Sequence, residues 1–175
     1  MHYAFVQLQQ EIDDSLSGLD ATATQLRPAA NPARWSIQQI IEHLLLTYTS
    51  TCSVFETRLA KGTPTRARPS IRQRAGQFTV LNVGYFPRGR KSPAGVMPSV
   101  SPRSLSGAAL TEATKELLTR LDKLAVEAER VFGRRRSISH QVLGPLDVAQ
   151  WRRFQLVHGR HHLRQIQAIR FGAKA

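Results

Sequence analysis

Apolar residues recur along this chain at three- and four-residue steps in four long segments, the signature of amphipathic helices. In the first, Tyr3 to about Leu26, the apolar positions are Phe5, Leu8, Ile12, Leu16 and Leu19, and Pro28 and Pro32 close it. The second opens at Trp35-Ser36-Ile37-Gln38-Gln39, where Ser36 can cap free backbone N–H groups, Gln39 can reach back, and Trp35 can staple onto Ile40. Its apolar face runs through Ile37, Ile40, Ile41, Leu44, Tyr48, Cys52, Phe55 and Leu59 until Gly62 and Pro64 stop it. The third is expected from about Ser106 to Phe132, with Leu110, Leu117, Leu121, Leu124 and Val131 inward and Gly133 as the stop. The fourth starts near Asp147 and runs to about Phe171, ahead of Gly172. No convincing strand pair interrupts this pattern. The fold class is therefore all-α, a four-helix bundle in one domain spanning residues 1–175. Short links join the first and last helix pairs, whereas residues 63–105 form a long crossover, so the expected arrangement is up-down-down-up.

Composition changes the picture in the crossover. The chain has 175 residues, 25 Lys plus Arg against 12 Asp plus Glu, and a net charge of +13. Between Glu56 and Glu112 no acidic residue occurs, but Arg58, Lys61, Arg66, Arg68, Arg72, Arg74, Arg88, Arg90, Lys91 and Arg103 do, with six of the nine prolines. Proline density rules out one continuous helix there. The apolar patch Phe78–Phe86 is expected to pack across the bundle as a short helix or turn. Such charge suggests nucleic acid or another polyanion as a partner, although no known DNA-binding element is present and aromatic interleaving is thin. No apolar run reaches the ~18 residues of a membrane span, and no secretory signal opens the chain, so a cytoplasmic, reducing setting is expected. Cys52, the single cysteine, lies on an apolar face and reads as a small buried hydrophobe.

The histidines carry the candidate chemistry. At 100° per residue, Trp151, His158, His162 and Ile169 fall within about 20° of one line on the last helix, so His158 and His162 are central to its buried stripe. Arg152, Arg153, Arg160, Arg164 and Arg170 fall on the opposite, solvated side. Two imidazoles one turn apart in an apolar seam are either hydrogen-bonded core residues or a pair converging on a metal ion, because an unpartnered buried polar group costs on the order of 1–3 kcal/mol. His43 is a candidate third ligand, placed by the helical wheel at the edge of its stripe. His161, His140 and the near-terminal His2 read as surface or supporting residues. No His-Glu-x-x-His, paired inward carboxylates, phosphate loop or Cys-x-x-Cys pair is present.

Pro32-Ala-Arg-Trp35-Ser36-Ile-Gln-Gln-Ile-Ile-Glu-His43-Leu, followed by Trp151 and Val157-His158-Gly-Arg-His161-His162-Leu-Arg-Gln165-Ile, resembles the DinB-like/YfiT superfamily of metalloenzymes over nearly the whole chain. The resemblance implies a divalent metal such as zinc or nickel on His43, His158 and His162, with His140, His161 and Gln165 as supporting or substrate-contacting candidates. A loop in one branch of that superfamily carries His-Pro, whereas here Gln141 follows His140. The family's known activities imply a thiol-dependent S-transferase using a low-molecular-weight thiol such as bacillithiol or mycothiol, or a hydrolase, acting on a small molecule. Separately, arginines near the open end of the bundle, Arg90 or Arg103 among them, could hold carboxylates of an acidic thiol cofactor. A homodimer is the family expectation, with Leu45 and Leu46 on an exposed face. The competing reading is a non-catalytic bundle whose basic crossover contacts nucleic acid.

Overall fold

In the computed structural model, which describes residues 1–86, 92–100, 103–136 and 138–172, the chain is mostly helical. Four long helices, α1 (Tyr3–Leu16), α2 (Ile37–Ala60), α4 (Gly107–Phe132) and α5 (Val148–Phe171), surround one apolar core, and a short α3 (Ile71–Gln77) lies in the crossover. α1 packs on α4 and α5, and α2 packs on the same two. Phe5, Leu8, Ile12, Ile41, Leu44, Phe55, Leu110, Leu121 and Ile166 are among the fully buried side chains that join them.

The caps follow the local sequence. Ser36 accepts from the Gln39 amide while the Gln39 side chain accepts from Ser36 N, and Asp147 and Gln150 repeat the arrangement at the start of α5. Gly133 and Gly172, with φ of +60° and +67°, follow α4 and α5. α1 ends at Leu16, ten residues short of the expected Leu26. Gly18 turns the chain with φ of +75°, and Asp20 accepts from the amides of Thr22 and Ala23 to seat a separate 3₁₀ turn, Ala23–Gln25. These local bonds compete with helix continuation.

Other expectations are corrected by packing. On α4 the buried stripe is Leu110, Thr114, Leu118, Leu121, Ala125, Ala128 and Phe132; Leu117 and Leu124 flank it and Val131 is exposed. The loop before α5 contains a three-residue antiparallel hairpin, β1 (Ile138–His140) and β2 (Gly144–Leu146), where no strand pair was expected. Gln77 holds it in place by donating to the carbonyls of Leu143 and Pro145 at 2.8 and 3.1 Å. α5 is not flanked by a merely solvated arginine face. Arg152 is buried and paired with Glu129, Arg160 pairs with Glu11 of α1, and Arg170 donates to the Ser15 carbonyl at 2.6 Å.

The crossover is pinned at two places. Phe78–Asn82 continues α3 as a π-helical turn that buries Val80 and Leu81 and packs on α5, as the apolar patch foretold. Farther on, Gln39 donates to the Ser99 carbonyl and Gln38 to that of Arg103, each at 2.7 Å, drawing the crossover across the start of α2. Arg88, Arg90 and Lys91 lie outside the described residues. No described helix is long and apolar enough to cross a membrane.

Candidate metal centre

α5 passes α2 in the opposite sense. Phe55 meets Trp151 with ring centroids 5.9 Å apart, Thr51 meets Gln155, and His43 meets His158. The helical wheel put His43 at the margin of its own apolar stripe, and that margin is the side facing α5. His43, His158 and His162 are all buried, at 3%, 5% and 6% exposure.

Their ring nitrogens converge. Nε2 of His158 lies 3.4 Å from Nε2 of His43 and 3.1 Å from Nε2 of His162. Two nitrogens bound at about 2.0–2.1 Å to one tetrahedral zinc are about 3.3–3.4 Å apart, so this spacing suits a single ion. One candidate ligand atom from each residue falls within a 4.8 Å group, and this is the cluster among the described residues that could hold a metal.

The outer pair is oriented for that use. His43 Nδ1 lies 2.7 Å from the Val96 carbonyl, which can only accept, so the proton is on Nδ1 and the Nε2 lone pair faces inward. His162 Nδ1 lies 3.0 Å from Gln165 Oε1, and the Gln165 amide nitrogen lies 3.2 Å from His161 Nε2, an arrangement in which His162 likewise donates from Nδ1. Backbone or side-chain acceptors behind ligating histidines fix both tautomer and ring orientation. Burial holds all three imidazoles below their ordinary pKa: His162 falls to about 3, His158 falls well below normal, further depressed by His162 and His43, and in His43 the Val96 carbonyl opposes part of the effect. All three are neutral near pH 7, the form in which imidazole ligates.

Aromatic rings enclose the cluster. Trp35 lies 5.1 Å from His43 and 6.4 Å from His162, centroid to centroid; Phe154 stacks on His158 at 5.4 Å and 11°; Phe86, from the crossover, lies 5.1 Å from both His158 and His161. Trp35, read from sequence as a helix staple, thus sits against the histidines.

The family model described as the DinB superfamily matches residues 4–166. The chain belongs to the DinB superfamily. That match covers all four long helices except the first residue of α1 and the end of α5, and includes the three histidines. Neither curated proteins nor solved structures provide a significant match to this DinB chain.

The remaining candidates have different places. Gln165, one turn along α5, accepts from His162, and His161, the residue before His162, is bonded in turn to the Gln165 amide nitrogen. His140 stands apart from the cluster on β1: its Nδ1 accepts from the amides of Val142 and Leu143 at 3.0 and 3.1 Å, its ring packs on Trp151 and Phe154, and burial lowers its pKa to about 4. His140 therefore shapes the hairpin. Arg103 contributes its carbonyl to Gln38 while its side chain is exposed, and Arg90 lies outside the described residues. Leu46 is exposed, whereas Leu45 is half-buried against the core. Cys52 is fully buried, and burial raises its thiol to about 11, so it offers no thiolate at neutral pH. Sequence reasoning missed Val96, which acts through its backbone carbonyl and leaves no side-chain signal, and Gln155, a polar residue in the apolar stripe.

Proposed function

We propose that this DinB chain is a metal-dependent enzyme in which His43, His158 and His162 bind one divalent ion, zinc or nickel, and present it to a small-molecule substrate. The observation that carries the reading is the convergence of three Nε2 atoms, two of them behind Nδ1 protons already engaged by Val96 and Gln165. Bound there, a divalent ion supplies a Lewis acid that lowers the pKa of a coordinated thiol or water. Three neutral protein ligands leave a coordination position for that group. Within the reading, Trp35, Phe86 and Phe154 exclude bulk water and keep the local dielectric low. The buried, high-pKa thiol of Cys52 leaves the nucleophile to come from outside the chain. A low-molecular-weight thiol fits that need, which favours S-transfer to an electrophile, with hydrolysis as the second reaction class. Assembly as a homodimer belongs to the same proposal.

Elemental analysis of the purified native protein is the first test. Stoichiometric zinc or nickel is expected, and titrating the stripped protein with either ion should raise its melting temperature, since a ligand at 100 times its Kd adds about 2.7 kcal/mol of stability. His162→Ala should abolish the bound metal, while His161→Ala should retain it. Absence of metal together with an unchanged melting temperature would overturn the reading.

A further inference from the structure

His158 is the central member of the cluster and differs from its neighbours in one respect. Where His43 and His162 each have an acceptor behind Nδ1, Nδ1 of His158 is buried and has no partner among the described residues. Three residues earlier on the same helix, Gln155 is 1% exposed, and its Oε1 is also buried and unpartnered. Residues three apart on a helix are surface neighbours, about 5–6 Å between Cβ atoms. The Gln155 amide nitrogen donates at 2.9 Å to Thr51 Oγ1, and the Thr51 hydroxyl donates at 2.8 Å to the Thr47 carbonyl. Gln155 is thus held from α2 with its carbonyl oxygen unused.

Proton placement links these two atoms. With the proton on Nδ1 in both His43 and His162, their Nε2 lone pairs face His158. Two lone pairs at 3.1 and 3.4 Å favour a proton on His158 Nε2, which can be donated to one of them. His158 Nδ1 then carries a lone pair and, like Gln155 Oε1, has no hydrogen-bond partner among the described residues. A cation among the three Nε2 atoms reverses this choice. It requires the lone pair of His158 Nε2, so the proton must reside on Nδ1; the ring stays neutral, and no proton is gained or lost overall. An unpartnered buried N–H would then cost on the order of 1–3 kcal/mol, and Gln155 Oε1, three residues away on α5, is a buried acceptor without a partner among the described residues.

We propose that Gln155 is the positioning residue of His158, receiving its Nδ1 proton directly or through one bridging water and so stabilising the tautomer that a divalent ion requires. The inference rests on the three-histidine reading above. It also assigns a purpose to the Thr47–Thr51–Gln155 chain, a polar path between α2 and α5.

The test is competition titration of the stripped protein with zinc against a chromophoric chelator. Gln155→Leu keeps approximate size but removes the acceptor, and is expected to bind zinc about 10- to 100-fold more weakly, the usual loss when the partner behind a ligating histidine is removed. Gln155→Glu restores an acceptor and should return affinity to the wild-type value or above. A merely structural glutamine would lower the melting temperature of both variants without this split in zinc affinity. Wild-type affinity in Gln155→Leu would overturn the inference and leave the metal site standing. Failure of the wild-type protein itself to bind zinc would instead bring down the three-histidine reading, and this inference with it. Should Gln155→Leu not fold, nitrogen NMR of the zinc-loaded wild-type protein decides: a protonated His158 Nδ1 with a downfield, exchange-protected proton is expected, and a proton on Nε2 overturns the proposal.

Discussion

His140 shows how one half-buried side chain can serve the fold and still leave a measurable electrostatic signature. Its Nδ1 accepts two backbone N–H groups of the hairpin turn, and its ring is wedged between Trp151 and Phe154. Burial penalises the charged ring, so the folded-state pKa falls from 6.5 to about 4. Between those values the unfolded chain binds the extra proton, so stability rises with pH through this window and is lost as pH falls from about 6.5 to 4. His140→Asn keeps an acceptor oxygen near the Nδ1 position but cannot titrate. We expect it to be less stable than wild type at pH 7, having lost ring packing, yet to show a shallower decline in denaturation free energy between pH 6.5 and 4.5. Parallel wild-type and variant curves would remove His140 from the acid response. The same residue was legible only in part: its His-Gln-Val-Leu setting marked a loop, but nothing local announced that two amides would close on it.

Among the elements, close approach is the feature that periodicity hides. Gly107, the first residue of α4, donates to the Leu19 carbonyl at 2.8 Å, and a Cβ at this position would run into the Leu16 carbonyl oxygen at the end of α1. Backbone cannot step aside as a side chain can. Gly107→Ala should therefore destabilise the protein by about 1–3 kcal/mol, the usual range for overpacking, as measured by urea denaturation. It does so although alanine is the better helix former by about 1 kcal/mol in a helix interior. A neutral or stabilising effect would mean that α1 and α4 can separate without loss. A different mechanism governs the start of α2, where the Ser36 hydroxyl accepts from the Gln39 amide at 3.2 Å and is buried. Ser36→Ala should cost about 0.5–2 kcal/mol. Ser36 was recognisable as a cap from four consecutive residues, whereas Gly107 was an unremarked helix position until α1 was laid against it.

Across the whole molecule, the charge excess divides into two populations. Arg120, Arg130, Arg152 and Arg160 are paired with Glu56, Glu127, Glu129 and Glu11, and Arg170 with backbone carbonyls. Arg66, Arg68, Arg72 and Arg74 in the crossover and Arg134, Arg135 and Arg136 before the hairpin are exposed and make no ion pair among the described residues. These seven arginines are expected to hold duplex DNA weakly and without sequence preference at low ionic strength, and to release it by physiological salt, as counterion release demands. Mobility-shift assays across a salt series measure this, and tight binding that survives physiological salt would favour the polyanion-binding module over the enzyme. The sequence by itself determined what depends on near neighbours: four amphipathic stretches, the caps at Ser36, Asp147, Gly133 and Gly172, and the i, i+4 placement of His158 and His162 on one buried face. Helical periodicity encodes which residues share a face, because that relation is set by backbone geometry alone. It does not encode what the face meets. Only the tertiary structure decided that the edge of α2 carrying His43 turns toward α5, that a crossover carbonyl at Val96 stands behind it, and that Thr51 of α2 accepts from Gln155, since each depends on how segments far apart in the chain pack together.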